Sequence, residues 1–531
     1  MFDLESKKLS KVLGIPKELK IQKPLFLGPK GDSIVFVGIE GEFPSGTVYC
    51  VNKDSGIYIV ENYRFKDTDA DKNKKDKTEN CDKKEEEEEK NDSVEISTDP
   101  IAYGPISSPS GNLICYQFTA VYNESHFFNT GLKVYNRETK EITELITDSE
   151  EDGELSLYIS TGDTYACYWD KNEKNVTFAN VEKARTIINR VNIVTGERTK
   201  LSLRVNFETD SITVLEFCPK TGDALVTVNN FYHCLNLGYL KGVQNSLNTG
   251  EPVTIIVEEN QKNRPFVEGD IFEEKLESGD VEGYIWGLKN EDTNRSERPC
   301  LVTLHGGPHS CSRVGYSHFL NALFKRGFQI LTVNFSGSIT YGKNFNDRLG
   351  GNICDLDSRE VMEIIEKLQV EDKLTKKDLH FSGGSYSGQQ GVHYLQAFPH
   401  TFKSITVRNP VVNLIYKIFA TDIPEWTTRE GLGDTSKFDI SKDLSDEQLI
   451  KLKKHSPGLQ KFDSSSKTRV LLILGMSDRR VNPRGGLFLY KKLKKIGIDI
   501  KCKVYEGEGH AISKIDNVFE NTMAYFKVIF G

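Results

Sequence analysis

The chain has 531 residues, of which 37% are hydrophobic and 27% are charged, and its formal net charge is −8 at pH 7. This length predicts two or more domains of ordinary globular composition, and the negative charge argues against general nucleic-acid binding. No run approaches the ~20 apolar residues of a membrane span and residues 1–6 do not resemble a signal peptide, so we expect no membrane partner.

Short strands rich in Val, Ile, Tyr and Phe recur at intervals of about 40 to 50 residues as far as residue 265. Each group opens on a turn rich in Gly, Pro and Asp. This pattern is typical of the blades of a β-propeller, although a β-sandwich also fits it. We count four units, preceded by a hairpin of residues 2–13 that resembles the outer half of a further blade. The four opening turns lie at residues 28–37, 108–116, 170–178 and 218–226.

Residues 67–92 form a run rich in Lys, Glu and Asp that interrupts the first of these units. Such a run cannot bury apolar surface, so we expect a disordered, solvated loop between two blade strands. A functional charged tail is the alternative. The sequence therefore predicts a partial propeller over residues 1–265 with a disordered insert at 67–92.

Strands alternate with helices from residue 266 to residue 531. Alternation of this kind predicts a mostly parallel, doubly wound sheet. The predicted strands are Val281 to Leu288, Leu301 to Leu304, Phe328 to Asn334, Asp378 to Phe381, Phe402 to Val407, Val470 to Leu474 and Lys501 to Tyr505. The predicted helices are Phe319 to Lys325, one that carries Val361, Ile364, Ile365 and Leu368 on one face, Gln389 to Phe398, and Val518 to Phe530.

Ser385 lies in a sequence that predicts a nucleophile elbow. A short apolar run and the pair Gly383-Gly384 precede it, and a predicted helix follows. The sharp strand-to-helix turn requires small neighbours and leaves the serine hydroxyl exposed above the sheet. Ser382 and Ser387 are weaker candidates, since neither has a glycine two residues before it.

Asp478 and His510 are the predicted partners of Ser385. A serine hydroxyl is a poor nucleophile at neutral pH, so it needs a base, and the base needs an orienting carboxylate. Asp478 follows a buried strand and His510 follows the last strand, and the order Ser, Asp, His is that of α/β-hydrolases. Asp422 and Asp463 compete with Asp478, but neither directly follows a buried strand.

Backbone N–H groups are needed to stabilise the oxyanion that forms during acyl transfer. The loop at residues 304–309, Leu-His-Gly-Gly-Pro-His, follows a strand, and its glycines let the backbone approach a substrate. Tyr386, the residue after the nucleophile, supplies the second N–H in such a site. We interpret His305 as a structural loop residue, with a catalytic base as the alternative.

The ten cysteines are scattered singly, and none forms a C-x-x-C pair. This usage favours neither a zinc site nor a disulfide framework, so we expect no metal. A reducing, cytoplasmic location fits the pattern best.

Residues 300–531, and more weakly the rest of the chain, resemble the prolyl oligopeptidase family of serine peptidases, in particular its acylaminoacyl-peptidase branch. The segments that carry the resemblance are residues 305–310, 333–338, 383–388, 408–413, 421–426, 471–481 and 509–511. It implies an α/β-hydrolase domain preceded by a propeller, no cofactor, and release of an N-acylated, typically N-acetylated, residue from short peptides. It also implies a Ser385, Asp478 and His510 triad, with the N–H groups of Gly307 and Tyr386 as oxyanion donors.

Three features depart from the family pattern. Ser387 stands where a glycine is usual, so its Cβ is expected to crowd the contact between strand and helix. Ser336 stands where the family has an arginine. The chain also begins inside the propeller, so we expect exposed blade faces that cause poor solubility or a homo-oligomer.

Three functions are therefore open on the sequence. The first is a peptidase that acts on short N-acylated peptides. The second is a serine esterase of broad range, because the same triad cleaves esters and the fold does not fix the substrate. The third is an inactive, propeller-bearing interaction protein.

Overall fold

The computed structural model describes part of the chain, and the structural statements below concern that part. The described residues are 10–12, 15–16, 19–29, 31–39, 54–63, 65–67, 93–120, 129–148, 157–158, 167–183, 185–202, 211–218, 220–229, 236–249, 254–257, 267–276, 279–288, 294–313, 315–436, 438–439 and 441–531.

The N-terminal part is almost entirely β-structure. Its strands are β1 Ser10–Val12, β2 Lys20–Leu27, β3 Ser33–Ile39, β4 Ser55–Val60, β5 Phe65–Asp67, β6 Ser93–Glu95, β7 Ile101–Ser107, β8 Leu113–Thr119, β9 Asn129–Asn136, β10 Ile142–Ile146, β11 Leu157–Tyr158, β12 Cys167–Trp169, β13 Asn175–Glu182, β14 Arg185–Asn192, β15 Arg198–Ser202, β16 Ser211–Phe217, β17 Ala224–Asn229, β18 Asn236–Lys241 and β19 Thr254–Val257. One helix, α1 Val243–Thr249, lies between the last two strands.

Most of these strands form antiparallel meanders. β12 to β15 form one four-stranded sheet and β16 to β19 another, each in sequence order. A larger sheet has the order β10-β9-β8-β7-β4-β3-β2, with β6 paired to β4 and β11 to β9, and β4 meets β7 through a single parallel pair, Ser55 with Ile101. The four opening turns predicted from sequence lie between β2 and β3, β7 and β8, β12 and β13, and β16 and β17. They therefore mark the first hairpin of four successive groups of strands.

Two N-terminal predictions fall largely outside the described residues. The first arm of the predicted hairpin, residues 2–4, is not among them, and β1 in its second arm pairs with β5. Of the charged insert at 67–92 the structure describes only Asp67, which ends β5 and is therefore part of a strand.

The C-terminal part alternates strands and helices. The strands are β20 Val267–Leu276, β21 Gly279–Leu288, β22 Cys300–Thr303, β23 Gln329–Asn334, β24 Leu379–Gly384, β25 Ser404–Arg408, β26 Arg469–Gly475 and β27 Ile500–Tyr505. The helices are α2 His318–Phe324, α3 Lys343–Asp347, α4 Leu356–Val370, α5 Tyr386–Ala397, α6 Leu414–Phe419, α7 Pro424–Leu432, α8 Asp446–Lys454, α9 Pro483–Lys495 and α10 Ile515–Phe530, with 3-10 turns at Arg295–Glu297 and Pro457–Leu459.

These strands form one eight-stranded sheet in the order β20-β21-β23-β22-β24-β25-β26-β27. β21 is antiparallel to both of its neighbours, β20 and β23. The six strands from β23 to β27 are parallel to one another. Each predicted strand and helix of this region is present within a few residues of its predicted bounds. The predicted fold class, an α/β-hydrolase preceded by an all-β propeller region, is confirmed; β20, α3 and α6 to α9 were not predicted.

Helices cover both faces of the large sheet. On one face, Phe381, Ile405 and Leu472 pack with α4, α5 and α9 in a single extended core. On the other face, strand residues such as Ile473 pack against α10, and Phe319 of α2 contacts Phe526 of α10. Burial on both faces explains why the central strands read as continuous apolar runs rather than as alternating ones.

None of the described helices is long and apolar enough to cross a membrane. The seven cysteines that the structure describes are all free thiols. The described residues contain no cluster of His, Cys, Asp and Glu that could hold a metal ion.

Candidate active site

The site lies at the carboxyl edge of the parallel strands. In register, Gly384 at the end of β24 is opposite Arg408 of β25, and Arg408 is opposite Ile473 of β26. Gly475, which ends β26, is opposite Tyr505, which ends β27. The loops after these strands leave the sheet from the same edge, where open α/β sheets bind their ligands.

Ser385 forms the turn between β24 and α5. Its backbone has φ 59° and ψ −119°. Residues other than glycine rarely adopt this combination, which makes the turn sharp. Its N–H donates to Arg408 O at 2.9 Å, and its C=O accepts from Gln389 N–H at 3.0 Å. The geometry is that of a nucleophile elbow, with the serine raised above the sheet edge.

The two neighbouring serines have structural hydrogen bonds. Ser382 lies within β24, and its hydroxyl is 3.4 Å from Tyr525 Oη on α10. Ser387 is fully buried in α5, where its hydroxyl donates to Gly384 O and accepts from Gly384 N–H, both at 2.9 Å. The side chain of Ser387, which we expected to crowd the contact between strand and helix, instead forms hydrogen bonds to Gly384 at the end of β24.

Asp478 and His510 meet in the loops after β26 and β27. Asp478 is fully buried, and its Oδ2 accepts from His510 Nδ1 at 2.7 Å, while the imidazole is 27% exposed. Asp478 Oδ1 accepts from the backbone N–H groups of Arg480 and Val481 at 2.8 and 2.9 Å. The second ring nitrogen of His510, Nε2, is therefore on the side of the imidazole away from Asp478.

The competing carboxylates have other partners. Asp422 binds Arg480 through two hydrogen bonds of 2.6 and 3.0 Å. Burial by itself raises the pKa of Asp422, but the bonds and charge of Arg480 outweigh it and hold the pKa below its ordinary value. Asp463 lies 3.4 Å from His400 in an exposed pair.

Asn409 holds the imidazole loop against the sheet. It has φ 42°, in the left-handed region that Asn tolerates better than most residues, and its side chain is buried. Its Nδ2 donates to Gly509 O and His510 O at 3.3 and 2.9 Å, and its Oδ1 accepts from Gly475 N–H at 2.9 Å. One side chain thus joins the loops after three neighbouring strands.

The loop after β22 brings backbone close to Ser385. A Cβ added at Gly306 would lie 3.2 Å from Gly384 O and 3.5 Å from the Ser385 Cβ, so the two backbone segments are close to van der Waals contact with any side chain at this position. Gly307 has φ +122° and its C=O accepts from Trp426 Nε1 at 3.0 Å. Trp426 of α7 therefore holds the carbonyl of Gly307, the residue proposed as an oxyanion donor.

Both histidines of this loop are buried and bonded. His305 Nδ1 donates to Gly306 O at 2.9 Å, its Nε2 lies 2.8 Å from Ser338 Oγ, and burial lowers its pKa to about 4. His309 Nε2 lies 3.0 Å from Glu430 Oε1 on α7. Burial lowers the pKa of His309, but the Glu430 charge outweighs it and leaves the pKa raised. These contacts fit the interpretation of His305 as a structural residue.

Beneath the elbow, Tyr386 is held by Asp357 of α4. The Tyr386 hydroxyl donates to Asp357 Oδ2 at 2.7 Å, and Gln390 Nε2 donates to the same oxygen at 2.6 Å. Burial raises the pKa of Asp357 to about 7, opposed by these hydrogen bonds and assisted by the nearby Glu360 carboxylate. The side chain of Tyr386 thus anchors the first N–H of α5.

Ser336, where the family has an arginine, is buried and donates two hydrogen bonds to one carboxylate. Its N–H and its hydroxyl donate to the two oxygens of Glu360 at 2.8 and 2.7 Å. The substitution therefore fits a compact hydrogen-bonded arrangement beneath the loop.

The all-β region contacts the hydrolase region close to the site. Lys183, in the turn between β13 and β14, donates from its N–H to Thr340 O at 2.8 Å. Arg313 donates to Thr186 Oγ1 and Ile212 O at 3.1 and 3.3 Å. The chain segment after the loop at 304–309 is therefore fixed to the β-sheets that precede it.

The doubly wound sheet, the elbow serine and the Asp–His pair at its edge define an enzyme of the α/β-hydrolase class, a serine hydrolase. Comparison with known proteins narrows the class. The sequence profile of the prolyl oligopeptidase family matches residues 315–531. Residues 315–531 therefore form a domain of this family, and the enzyme is a serine peptidase.

The similar proteins include acylamino-acid-releasing enzymes. The mouse (Mus musculus) enzyme is 26% identical over 100% of this chain, which spans 69% of that protein. Acylamino-acid-releasing enzyme 1 of Oryza sativa subsp. japonica is 33% identical over 42% of this chain and 29% of its own length. The solved acylaminoacyl peptidase of Pyrococcus horikoshii superimposes with a TM-score of 0.60 at 15% identity, over 100% of this chain and 83% of its own, which shows the fold.

The sequence predicted the residues expected to carry out the chemistry. It did not predict the buried side chains that position the loops around those residues. Asp357 and the pair of His309 with Glu430 were not predicted, and the roles of Asn409 and Arg480 were not assigned. Asn409 and Arg480 lie in segments that resemble the family, which was the one available signal. Asp357 lies in an ordinary helix and gave none.

Proposed function

We propose that the chain releases N-acylated amino acids, typically N-acetylated ones, from the N-terminus of short peptides. The observation that carries the proposal is the hydrogen bond of 2.7 Å between His510 and Asp478 beside the elbow at Ser385. The resemblance to acylamino-acid-releasing enzymes over the whole chain supports the substrate class.

In this mechanism Ser385 Oγ attacks the carbonyl carbon of the N-acylated residue. His510 accepts the serine proton at Nε2, while Asp478 fixes the Nδ1–H tautomer and stabilises the imidazolium. The N–H groups of Gly307 and Tyr386 bind the oxyanion. His510 then gives the proton to the leaving amine, and a water molecule repeats the sequence to free the N-acyl amino acid.

Charge around the pair favours a neutral, acylated N-terminus. Asp478 is bonded to His510, and Asp422 is bonded to Arg480. Glu508, in the loop before His510, accepts from the Ser513 and Lys514 N–H groups at 3.2 and 3.1 Å. With these carboxylates engaged, a free α-ammonium of a substrate would find none of them available as a partner, whereas an acyl group carries no charge and needs none.

Further proposals concern the organisation of the chain. The division into residues 1–265, with about four propeller blades, and 266–531 is supported by the end of β19 at Val257 and the start of β20 at Val267. A cytoplasmic location is supported by the free thiols of the described cysteines. Association of several copies stays a prediction.

The test uses a fluorophosphonate probe and three small substrates: acetyl-alanyl p-nitroanilide, alanyl p-nitroanilide and a simple ester. We expect probe labelling and preferential cleavage of the acetylated anilide, and loss of both in Ser385→Ala, by up to about 10⁶-fold in kcat. Cleavage of the ester alone would indicate the esterase, and absence of labelling would indicate an inactive binding protein. Retention of labelling in Ser385→Ala with loss in Ser387→Ala would show that the elbow register is wrong.

A further inference from the structure

Arg408 places a guanidinium group directly beside the nucleophile. It ends β25 opposite Gly384, and its C=O accepts from Ser385 N–H at 2.9 Å. A Cβ added at Gly384 would lie 3.1 Å from Arg408 Nη2 and 3.2 Å from Nε. The guanidinium therefore lies against the residue that precedes Ser385, in the space that any side chain at position 384 would occupy.

The guanidinium lies on the imidazole side of the sheet. A Cβ at Gly383 would meet Ser387 of α5, so the next residue, Gly384, faces the opposite way. Ser382, which shares that face, contacts Tyr525 of α10, the helix that follows the loop carrying His510. Arg408 thus belongs to the face from which His510 approaches the serine.

Arg408 is exposed, and its charge is uncompensated. Among the residues that the structure describes, none forms a hydrogen bond or an ion pair with its guanidinium. By contrast, the nearby Arg480 is held by Asp422 through two hydrogen bonds. An exposed planar guanidinium without a carboxylate partner suits two-point binding of a carboxylate from a ligand.

We propose that Arg408 binds the free α-carboxylate of the leaving group, a specificity that rests on the proposed function. His510 must reach the leaving nitrogen to protonate it, so the leaving group departs on the imidazole side. When that group is a single amino acid, its carboxylate is two bonds from the nitrogen and comes within reach of Arg408. The enzyme therefore favours N-acyl dipeptides that end in a free carboxylate.

The experiment compares acetyl-Ala-Ala as free acid with its C-terminal amide, using kcat/KM. The unaltered enzyme should prefer the acid at least about tenfold, as expected for a charge-assisted pair. In Arg408→Gln, kcat/KM for the acid should fall about 10- to 100-fold, while kcat/KM for the amide should change little. Arg408→Lys should recover part of the loss on the acid. Acetyl-Ala-Ala-Ala, whose carboxylate lies farther from the scissile bond, should show a smaller preference for the acid.

Arg359→Gln is the matched control, since it removes the same charge from an exposed position on α4 where Arg359 pairs with Asp355. It should leave the acid-to-amide ratio unchanged. Probe labelling and hydrolysis of acetyl-alanyl p-nitroanilide report whether each variant is folded and active.

Three results would overturn the proposal. An acid-to-amide ratio near one in the unaltered enzyme would do so without any variant. An unchanged ratio in active Arg408→Gln, or an equal loss on both substrates, would show that Arg408 only supports the elbow. Failure of the unaltered enzyme on acetyl-alanyl p-nitroanilide as well would instead reject the proposed function.

Discussion

The two sides of Ser385 use different groups for the proposed chemistry. On the imidazole side, the side chains of Asp478 and His510 carry the proposed chemistry. Backbone N–H groups hold the Asp478 carboxylate, and the Asn409 side chain holds the backbone of His510. On the oxyanion side, the backbone of Gly307 and Tyr386 carries the chemistry, and side chains hold the backbone.

This difference has a physical origin. Proton transfer requires a titratable side chain, whereas an oxyanion needs only fixed N–H donors. The side chains that hold Gly307 and Tyr386, which are Trp426 and Asp357, can therefore be buried and remote from the substrate. We expect changes on the imidazole side to act on the rate, and changes beneath the oxyanion side to act first on stability.

Among changes on the two sides of Ser385, Asp478→Asn on the imidazole side should have the largest effect on activity. An amide at this position can still accept the backbone bonds, but it favours the wrong imidazole tautomer, and kcat should fall about 10⁴-fold. Steady-state kinetics on acetyl-alanyl p-nitroanilide measures the loss, and thermal unfolding checks that the fold is kept. If Asp422→Asn lost as much activity while Asp478→Asn lost little, the orienting carboxylate would have been misassigned.

Asn409→Ala should have an intermediate effect. It removes the bonds that join the loops after β25, β26 and β27, so His510 is held less well while its chemistry is unchanged. We expect kcat/KM to fall about 10- to 100-fold, with a loss of about 1–3 kcal/mol in the free energy of unfolding from the unpaired buried groups. Asn409→Gly also removes the hydrogen bonds, but glycine adopts φ 42° without steric strain. Comparison of the two variants therefore separates the effect of backbone strain from that of the lost hydrogen bonds. Full activity in both variants would exclude this positioning role.

The sequence was sufficient to predict the alternation of strands and helices and the elbow, because both depend on local patterns. The apolar run before Ser385 and the periodic Val361 and Ile365 are buried as that pattern requires. The contacts between distant segments could not be predicted in this way. Asn409 meets residues a hundred positions later, and His309 meets Glu430, so their partners depend on the completed sheet. The N-terminal turns were predicted because each meander is local, whereas the parallel pair of Ser55 with Ile101 was not.

The smallest expected effect on activity is that of Asp357→Asn on the oxyanion side, which should instead change stability in a pH-dependent way. Burial raises the pKa of Asp357 to about 7 in the folded chain, compared with an ordinary value of 3.8. A carboxyl group with a raised pKa binds its proton more tightly when folded. Its contribution to stability is therefore complete below about pH 4 and is lost as the pH rises to about 7.

Asn at position 357 does not titrate but can still accept from the Tyr386 hydroxyl and Gln390 Nε2. The free energy of unfolding of Asp357→Asn relative to the unaltered chain should rise by about 1.4 kcal/mol per pH unit below pH 7 and level off above it. Urea unfolding at pH 5, 6, 7 and 8, followed by tryptophan fluorescence, measures this difference. Glu360→Gln is the comparison variant, since it removes a neighbouring carboxylate that raises the pKa of Asp357 and should shift the same transition to lower pH. A difference between Asp357→Asn and the unaltered chain that stays constant from pH 5 to 8 would show that Asp357 is already charged in the folded chain, and that Tyr386 is anchored to a carboxylate at every pH at which the enzyme works.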